Sequence, residues 1–188
     1  MKKLIIILIF LIPIITLGQE KLGNKIYFYG KLKDKIKGRT VVRFNFHNPK
    51  VEKYTLDKLY YEGLDPIQWN SMFLPETEYT DEEISNTLNK YKIDNIFFIK
   101  IEDVDKGNST IGMNLTSSSV YYADIELIEL VKITVDFYNL NNKNNTKPEW
   151  KVIGEASGGS EFSTVTSVSK KIIGRIINGL YQKGAFVY

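Results

Sequence analysis

Between Val120 and Tyr138 the chain alternates with a period of two. Ile125, Leu127, Val131, Ile133, Val135 and Phe137 take odd positions, and Asp124, Glu126, Lys132, Thr134 and Asp136 take even ones. Only a strand puts alternate residues on opposite faces; on a helix the same apolar set would be scattered round the axis. The stretch is longer than a usual strand, and Glu129 interrupts the apolar series. One long bent strand, or a break near Ile128 and Glu129, is therefore expected. The polar run Leu140 to Pro148, LNNKNNTKP, reads as a hairpin loop that returns Trp150 to Ala156 as the partner strand. A chain built on this hairpin must form a sheet.

Other elements join it. Lys25 to Gly30 (KIYFYG) and Thr40 to Phe46 (TVVRFNF) are rich in aromatic or β-branched residues and end in Gly or Asn-Pro, as strands do. The basic KLKDKIKGR between them reads as a turn. Val51 to Tyr61 suits a short helix stopped by Gly63, and Ile67 to Phe73 a short strand stopped by Pro75. Thr80-Asp81-Glu82-Glu83 is a capping box, followed by the helical stripe Ile84, Leu88 and Tyr91. Asn95 to Ile101, NIFFIKI, is nearly all apolar and reads as a strand covered on both faces. Asp103 to Asn108 begins like a calcium loop but lacks the required ligands, and it reads as a turn. After Ser157 to Ser160, a long helix places Val165, Val168, Ile172, Ile176 and Leu180 on one face, with Gly184 at its stop.

This order implies an α+β fold: a mixed β-sheet with a long antiparallel hairpin and helices packed on one face, a two-layer α/β sandwich. Residues 1–18 stand apart. Lys2 and Lys3, an unbroken apolar run from Leu4 to Ile15, and the ending Thr16-Leu17-Gly18 make a secretory signal peptide, with cleavage expected before Gln19. Residues 19–188 then form a single domain, periplasmic or secreted. Gln19 stands where a lipoprotein carries its lipidated cysteine, so no lipid anchor is expected.

Composition closes off many chemistries. The chain has no cysteine, which removes disulfides, thiolate metal sites and thiol nucleophiles. Lys+Arg 25 against Asp+Glu 22 is a weak excess, and it falls to near +1 once Lys2 and Lys3 leave. Nucleic-acid binding needs a concentrated basic face, so no nucleic-acid partner is expected. The one histidine, His47, sits at a strand end before Asn48-Pro49 with no nucleophile motif in reach. Glu76, Glu78, Asp81, Glu82 and Glu83 form the densest acidic cluster, but the last three occupy a helix's first turn, where the macrodipole favours them. No phosphate loop is present, and no cofactor or metal is expected.

Three features carry a resemblance: Tyr79 to Ile84 leading through Tyr91-Lys92-Ile93-Asp94 into NIFFIKI, the Glu149-Trp150 pair opening a hairpin strand, and the closing Leu180-Tyr181-Gln182-Lys183-Gly184. Over Lys25 to Phe186 the chain resembles small bacterial envelope lipoproteins of uncharacterised function. The fold of that family is similar to the amino-terminal α/β domain of the Tol-Pal translocation protein. The resemblance implies an envelope binding or assembly role and supplies no catalytic residues.

The expected function is thus a non-enzymatic cell-envelope module that binds an envelope protein or cell-wall component through a sheet edge or the helix-free face. Candidate contact residues are Tyr27, Tyr29, Tyr121 and Glu129, with KIYFYG as the partner-facing edge because Lys25, Lys31 and Lys33 flank it as edge-guarding charges do. Two alternatives stand beside it. A glycan hydrolase would need paired carboxylates about 5 to 10 Å apart in a cleft. A small-ligand carrier would need a cavity in which Glu129 and tyrosines meet.

Overall fold

The computed structural model describes residues 19–116, 119–141, 147–158 and 163–187, with side chains for all of these except 108–127. The expected signal peptide, residues 1–18, lies outside the described residues. Strands β1 (Gln19–Gly23), β2 (Ile26–Gly30), β3 (Arg39–Phe44), β4 (Asp65–Gln68), β5 (Asn95–Thr116), β6 (Ser119–Asn139) and β7 (Trp150–Ala156) are interspersed with helices α1 (Pro49–Tyr61), α2 (Asp81–Lys90) and α3 (Val165–Gln182). The sheet is open and mixed, in the order β1-β2-β7-β6-β5-β3-β4. Strand β3 runs parallel to β4 and β5, and every other pairing is antiparallel. The α+β class inferred from the sequence is the fold observed.

The main core lies between the sheet and α1 plus α3. Ile26, Phe28, Val42, Phe97, Ile99, Ile133, Val135, Phe137, Trp150 and Val152 from the strands meet Val51, Leu59, Ile172, Ile173, Ile176 and Leu180 from the helices. Trp150 anchors it, stacked on Phe137 at 4.6 Å and edge-on to Phe97 at 5.7 Å. Helix α3 begins with a reciprocal cap between Thr164 and Ser167, and it stops at Gly184, whose φ of 74° is a conformation that costs glycine little. Helix α2 carries the capping box at Thr80 and Glu83 that its sequence announces. The Thr80 amide and then its hydroxyl donate to the Glu83 carboxylate, which holds the Glu83 pKa below its ordinary value.

Not all helices pack on one face as expected: α2 covers the other face of the sheet, at the β3–β4 end, where the outward side of β3 is apolar at Val41 and needs cover of its own. Val41, whose neighbour Val42 faces the main core, joins Phe73, Leu88 and Ile93 in a second cluster with Ile67, Trp69 and Ile96 beside it. Elsewhere that face carries no helix among the described residues.

Four local expectations change. Polar Gln19–Gly23, unremarkable in sequence, becomes a strand by pairing with β2. The strand expected over Ile67 to Phe73 is shorter and earlier, Asp65–Gln68, and Trp69–Ser71 coils into a 3-10 turn that tucks Phe73 under the sheet. The turn expected at Asp103 to Asn108 is continuous strand, because β6 supplies partners all along it and bulges absorb the misfit. NIFFIKI is fully covered only on the helix side: Phe97 and Ile99 are buried, while Ile96, Phe98 and Lys100 are half-buried.

Strand β3 accompanies β5 only as far as Ile99, and β7 accompanies β6 only from Val131 onward. Beyond these points β5 and β6 run on together as a two-stranded ribbon. At about 3.3 Å per residue the ribbon reaches roughly 40 Å past the sheet.

Candidate functional site

In β2 the buried residues Ile26 and Phe28 face α1 and α3, which leaves Tyr27 and Tyr29 half-buried on the opposite face, helix-free except where α2 covers its β3–β4 end. In β7 the same parity puts Lys151, Ile153 and Glu155 there; in β6 Lys132, Thr134, Asp136 and Tyr138; in β5 Ile96, Phe98 and Lys100. Register then aligns side chains that are distant in sequence. Tyr29 stands opposite Lys151, Lys151 opposite Asp136, Asp136 opposite Phe98, and Phe98 opposite Arg43. Aromatic, cation, anion, aromatic and cation thus follow one another across five strands, and the Arg43 guanidinium lies over the Trp69 ring at 4.8 Å to close the row. At about 4.8 Å between strands the row spans roughly 20 Å.

Asp136 is its electrostatic centre. The residue is 4% exposed, and its carboxylate lies 3.0 Å from Lys100 Nζ and 3.5 Å from Lys151 Nζ. Burial on its own would depress the Lys100 ammonium, but the hydrogen bond and charge of Asp136, followed by those of Glu102, outweigh it and raise the Lys100 pKa above the ordinary value. Burial raises the Tyr138 phenol, and the Asp136 charge adds to that rise against an opposing contribution from Lys100. Lys132 and Glu155 form a further cross-strand pair at 3.7 Å.

At the β3 end the row opens into a cleft of about 320 Å³ lined by Arg43, Trp69, Asn70, Glu76, Thr77 and Tyr79, among others. Trp69 is held from behind by Phe73, stacked at 4.1 Å. The Tyr79 hydroxyl accepts a hydrogen bond from the Leu74 amide at 2.9 Å.

The residues singled out in the sequence are distributed unevenly. Tyr27 and Tyr29 lie on this face, with Tyr29 in the row itself. The expectation that KIYFYG forms an edge is overturned, since β1 and β7 occupy both of its sides and the sheet's edges are β1 and β4. Glu129 is exposed and lies at a bulge of β6, between the pairings of Leu130 with Asp105 and Ile128 with Lys106. The strand does not break there; the bulge leaves Glu129 outside the core, in the ribbon beyond the level of Thr134, Ile153 and Tyr27. The Tyr121 side chain lies outside the described residues. Lys151, Asp136, Phe98, Arg43 and Trp69 were missed, and the one signal of their kind in the sequence is Arg43 interrupting the apolar TVVRFNF.

His47 is exposed, with Nδ1 3.4 Å from Glu52 Oε1, and among the described residues no hydroxyl is bonded to it. Glu52 is itself buried and receives hydrogen bonds from the Asn48 amide at the start of α1 and from the Gln68 side chain, the second of which ties α1 to β4. Glu102 and Asp136 approach each other only through Lys100, which lies within 3.3 Å of both. Between the helices and the sheet, the space lined by Thr55, Leu59, Phe97, Ile173 and Ile176 amounts to about 10 Å³, too small for an organic ligand. Among the described residues no three acidic or histidine side chains converge as a metal site would require, and no helix is long and apolar enough to cross a membrane.

No family model matches the chain, and no curated protein matches it. Solved structures do resemble it. The PelC dodecamer from Paraburkholderia phytofirmans is 12% identical over 82% of this chain and 95% of its own, with a TM-score of 0.46. A variant PelC dodecamer from the same organism is 12% identical over 78% of this chain and 88% of its own, at 0.44. A minor lipoprotein from Acinetobacter baumannii is 7% identical over 78% of this chain and 91% of its own, at 0.32. No Tol-Pal protein is among these three. At these scores the likenesses say nothing of what this chain binds.

Proposed function

We propose that this chain is a non-enzymatic module of the bacterial cell envelope, exported by its leader, which binds a protein or cell-wall component through the helix-free sheet face. The row Tyr29, Lys151, Asp136, Phe98, Arg43 and Trp69 carries the reading. The Phe98 and Trp69 rings hold the Arg43 guanidinium between them, so an extended polar ligand lying across the strands would meet the Tyr29 ring and then a series of positioned charges. Asp136 keeps the lysine heads in place, so the surface is organised before anything binds and little side-chain freedom remains to be lost on binding.

The test is affinity capture from envelope extract with the chain beginning at Gln19, compared with a Tyr29→Ala/Lys151→Ala variant whose fold is checked by circular dichroism. Capture of a component that the variant fails to retain is the expected result. Equal capture by both proteins would remove the face from consideration, and measurable turnover of cell-wall glycan by the purified chain would overturn the non-enzymatic reading.

A further inference from the structure

Arg39 and Arg43 project from the same face of β3, and their surroundings differ. Arg39 is consumed by the fold: its Nε lies 2.7 Å from Asp65 and its Nη1 donates to the Tyr91 carbonyl at 3.1 Å. Arg43 is exposed and has no carboxylate or carbonyl partner among the described residues. It lies against two rings, 4.8 Å from the centre of Trp69 and 5.1 Å from that of Phe98. Trp69 offers no second face, because Phe73 is stacked on it. With its faces against rings, the guanidinium retains its in-plane N–H groups as its means of recognition, and that edge matches a carboxylate in bidentate geometry.

The rest of the cleft narrows the choice of ligand. Asn70 and Thr77 supply neutral donors and acceptors, Glu76 a carboxylate, and Tyr79 a hydroxyl proton that its bond from Leu74 leaves free. Such groups match ring hydroxyls. The Glu76 charge disfavours a dianion more than a monoanion, which favours a carboxylate over a phosphate. Glu76 also holds a φ of 60°, a left-handed conformation that is uncommon for a residue with a side chain and collects at ligand clamps. A peptide would dock most readily by extending the sheet beside the cleft, but edge strand β4 has only four residues and includes Pro66, a poor template for pairing. The volume of about 320 Å³ falls at the small end for ligand sites and suits one sugar ring.

We propose that this cleft holds a carboxylate-bearing sugar residue, with Arg43 gripping the carboxylate and Asn70, Glu76, Thr77 and Tyr79 meeting ring hydroxyls. The assignment rests on the reading of the helix-free face as a binding surface and names the ligand class at one end of it.

The experiment is calorimetric titration of the chain from Gln19 with galacturonate oligosaccharides and with neutral galactose counterparts. The acidic series should bind at least about tenfold more tightly than the neutral one, the discrimination expected of a charge-assisted hydrogen-bond pair. Arg43→Gln should abolish that difference, and Arg43→Lys, which keeps the charge without the fork, should lose most of it. Lys171→Ala, on the solvent side of α3 and away from the face, should leave galacturonate monomer binding within about twofold of the parent, a change small on the affinity scale. Equal affinity for both series, an unaffected folded Arg43→Gln variant, or tighter binding of inorganic phosphate or an acidic tetrapeptide would each overturn the assignment. Failure of this site is separable from failure of the face. If galacturonate does not bind while envelope capture still depends on Tyr29 and Lys151, only the sugar assignment falls. If galacturonate binds through Arg43 while that capture is indifferent to the two, only the wider face does.

Discussion

Lys100 Nζ lies 3.0 Å from Oδ2 of Asp136 on the diagonal of the β5–β6 ladder, one step from the directly opposed pair Phe98 and Asp136. Diagonal neighbours on one face of a sheet are within reach of a long side chain, and here the contact neutralises a buried carboxylate.

The pH dependence follows from the sign of the shift. The folded pKa of Lys100 is raised above its ordinary 10.5, so its contribution to stability is fully present below that value and is lost as pH rises through the folded pKa. The raised Tyr138 pKa acts in the same sense, above its ordinary 10.0. Urea unfolding of the parent and of Lys100→Met should show the parent losing more stability than the variant as pH rises above about 10.4, the ordinary lysine value. Parallel losses in the two proteins would show that the pair is not coupled to folding.

Gly154 lies on the sheet beneath α3, against Ile172 and Ile176. A Cβ there would stand 2.6 Å from Ile172 Cγ2 and 2.9 Å from Ile26 Cδ1. Gly154→Ala should therefore cost about 1 to 3 kcal/mol by overpacking. Trimming a facing residue with Ile26→Val, which removes the Cδ1 at 2.9 Å, should recover part of that loss in the double variant. Additive effects in a double-mutant cycle would contradict the contact.

Ile176 is 2% exposed in the interface of α3 with the sheet, whereas Lys171 on the same helix faces water. Truncation of Ile176 to Ala should cost about 2 to 5 kcal/mol by chemical denaturation. Lys171→Ala should change stability by no more than about half a kcal/mol, as surface substitutions do.

Gln19, the residue expected to begin the exported chain, is also the first residue of β1 and pairs with Tyr29. Cleavage before Gln19 would leave the whole of that edge strand intact. Mass spectrometry of the exported protein should give a chain starting at Gln19, and removal of Gln19–Gly23 should expose the outer side of β2 and promote self-association through the new edge. A truncated protein that stays monomeric at high concentration would refute that role for β1.

The capping box at Thr80 and Glu83, the alternation of β6 and the apolar face of α3 were legible because each is settled within a few residues of chain. Glu129 was legible for a related reason: a carboxylate on an apolar parity has to leave the core, and a bulge is the cheapest way out. What failed in the reading depended on neighbours from elsewhere. Gln19–Gly23 is polar and becomes a strand only because β2 has an open side, and Asp103 to Asn108 carries turn residues yet stays extended because β6 runs alongside. The same cause hid most of the row that crosses the sheet.

By itself the sequence determined the class of fold, the presence of the three helices, the capping box at Thr80 and the absence of cysteine chemistry, since composition, periodicity and caps are local properties of the chain. The order of the strands, the burial of β2 inside the sheet and the row from Tyr29 through Lys151, Asp136 and Phe98 to Arg43 were decided only by the tertiary structure. Strand pairing joins residues more than a hundred positions apart, as Tyr29 and Lys151 show. Backbone hydrogen bonds are alike for every residue, so a strand's own sequence does not name its neighbour; the packing of both faces at once selects it.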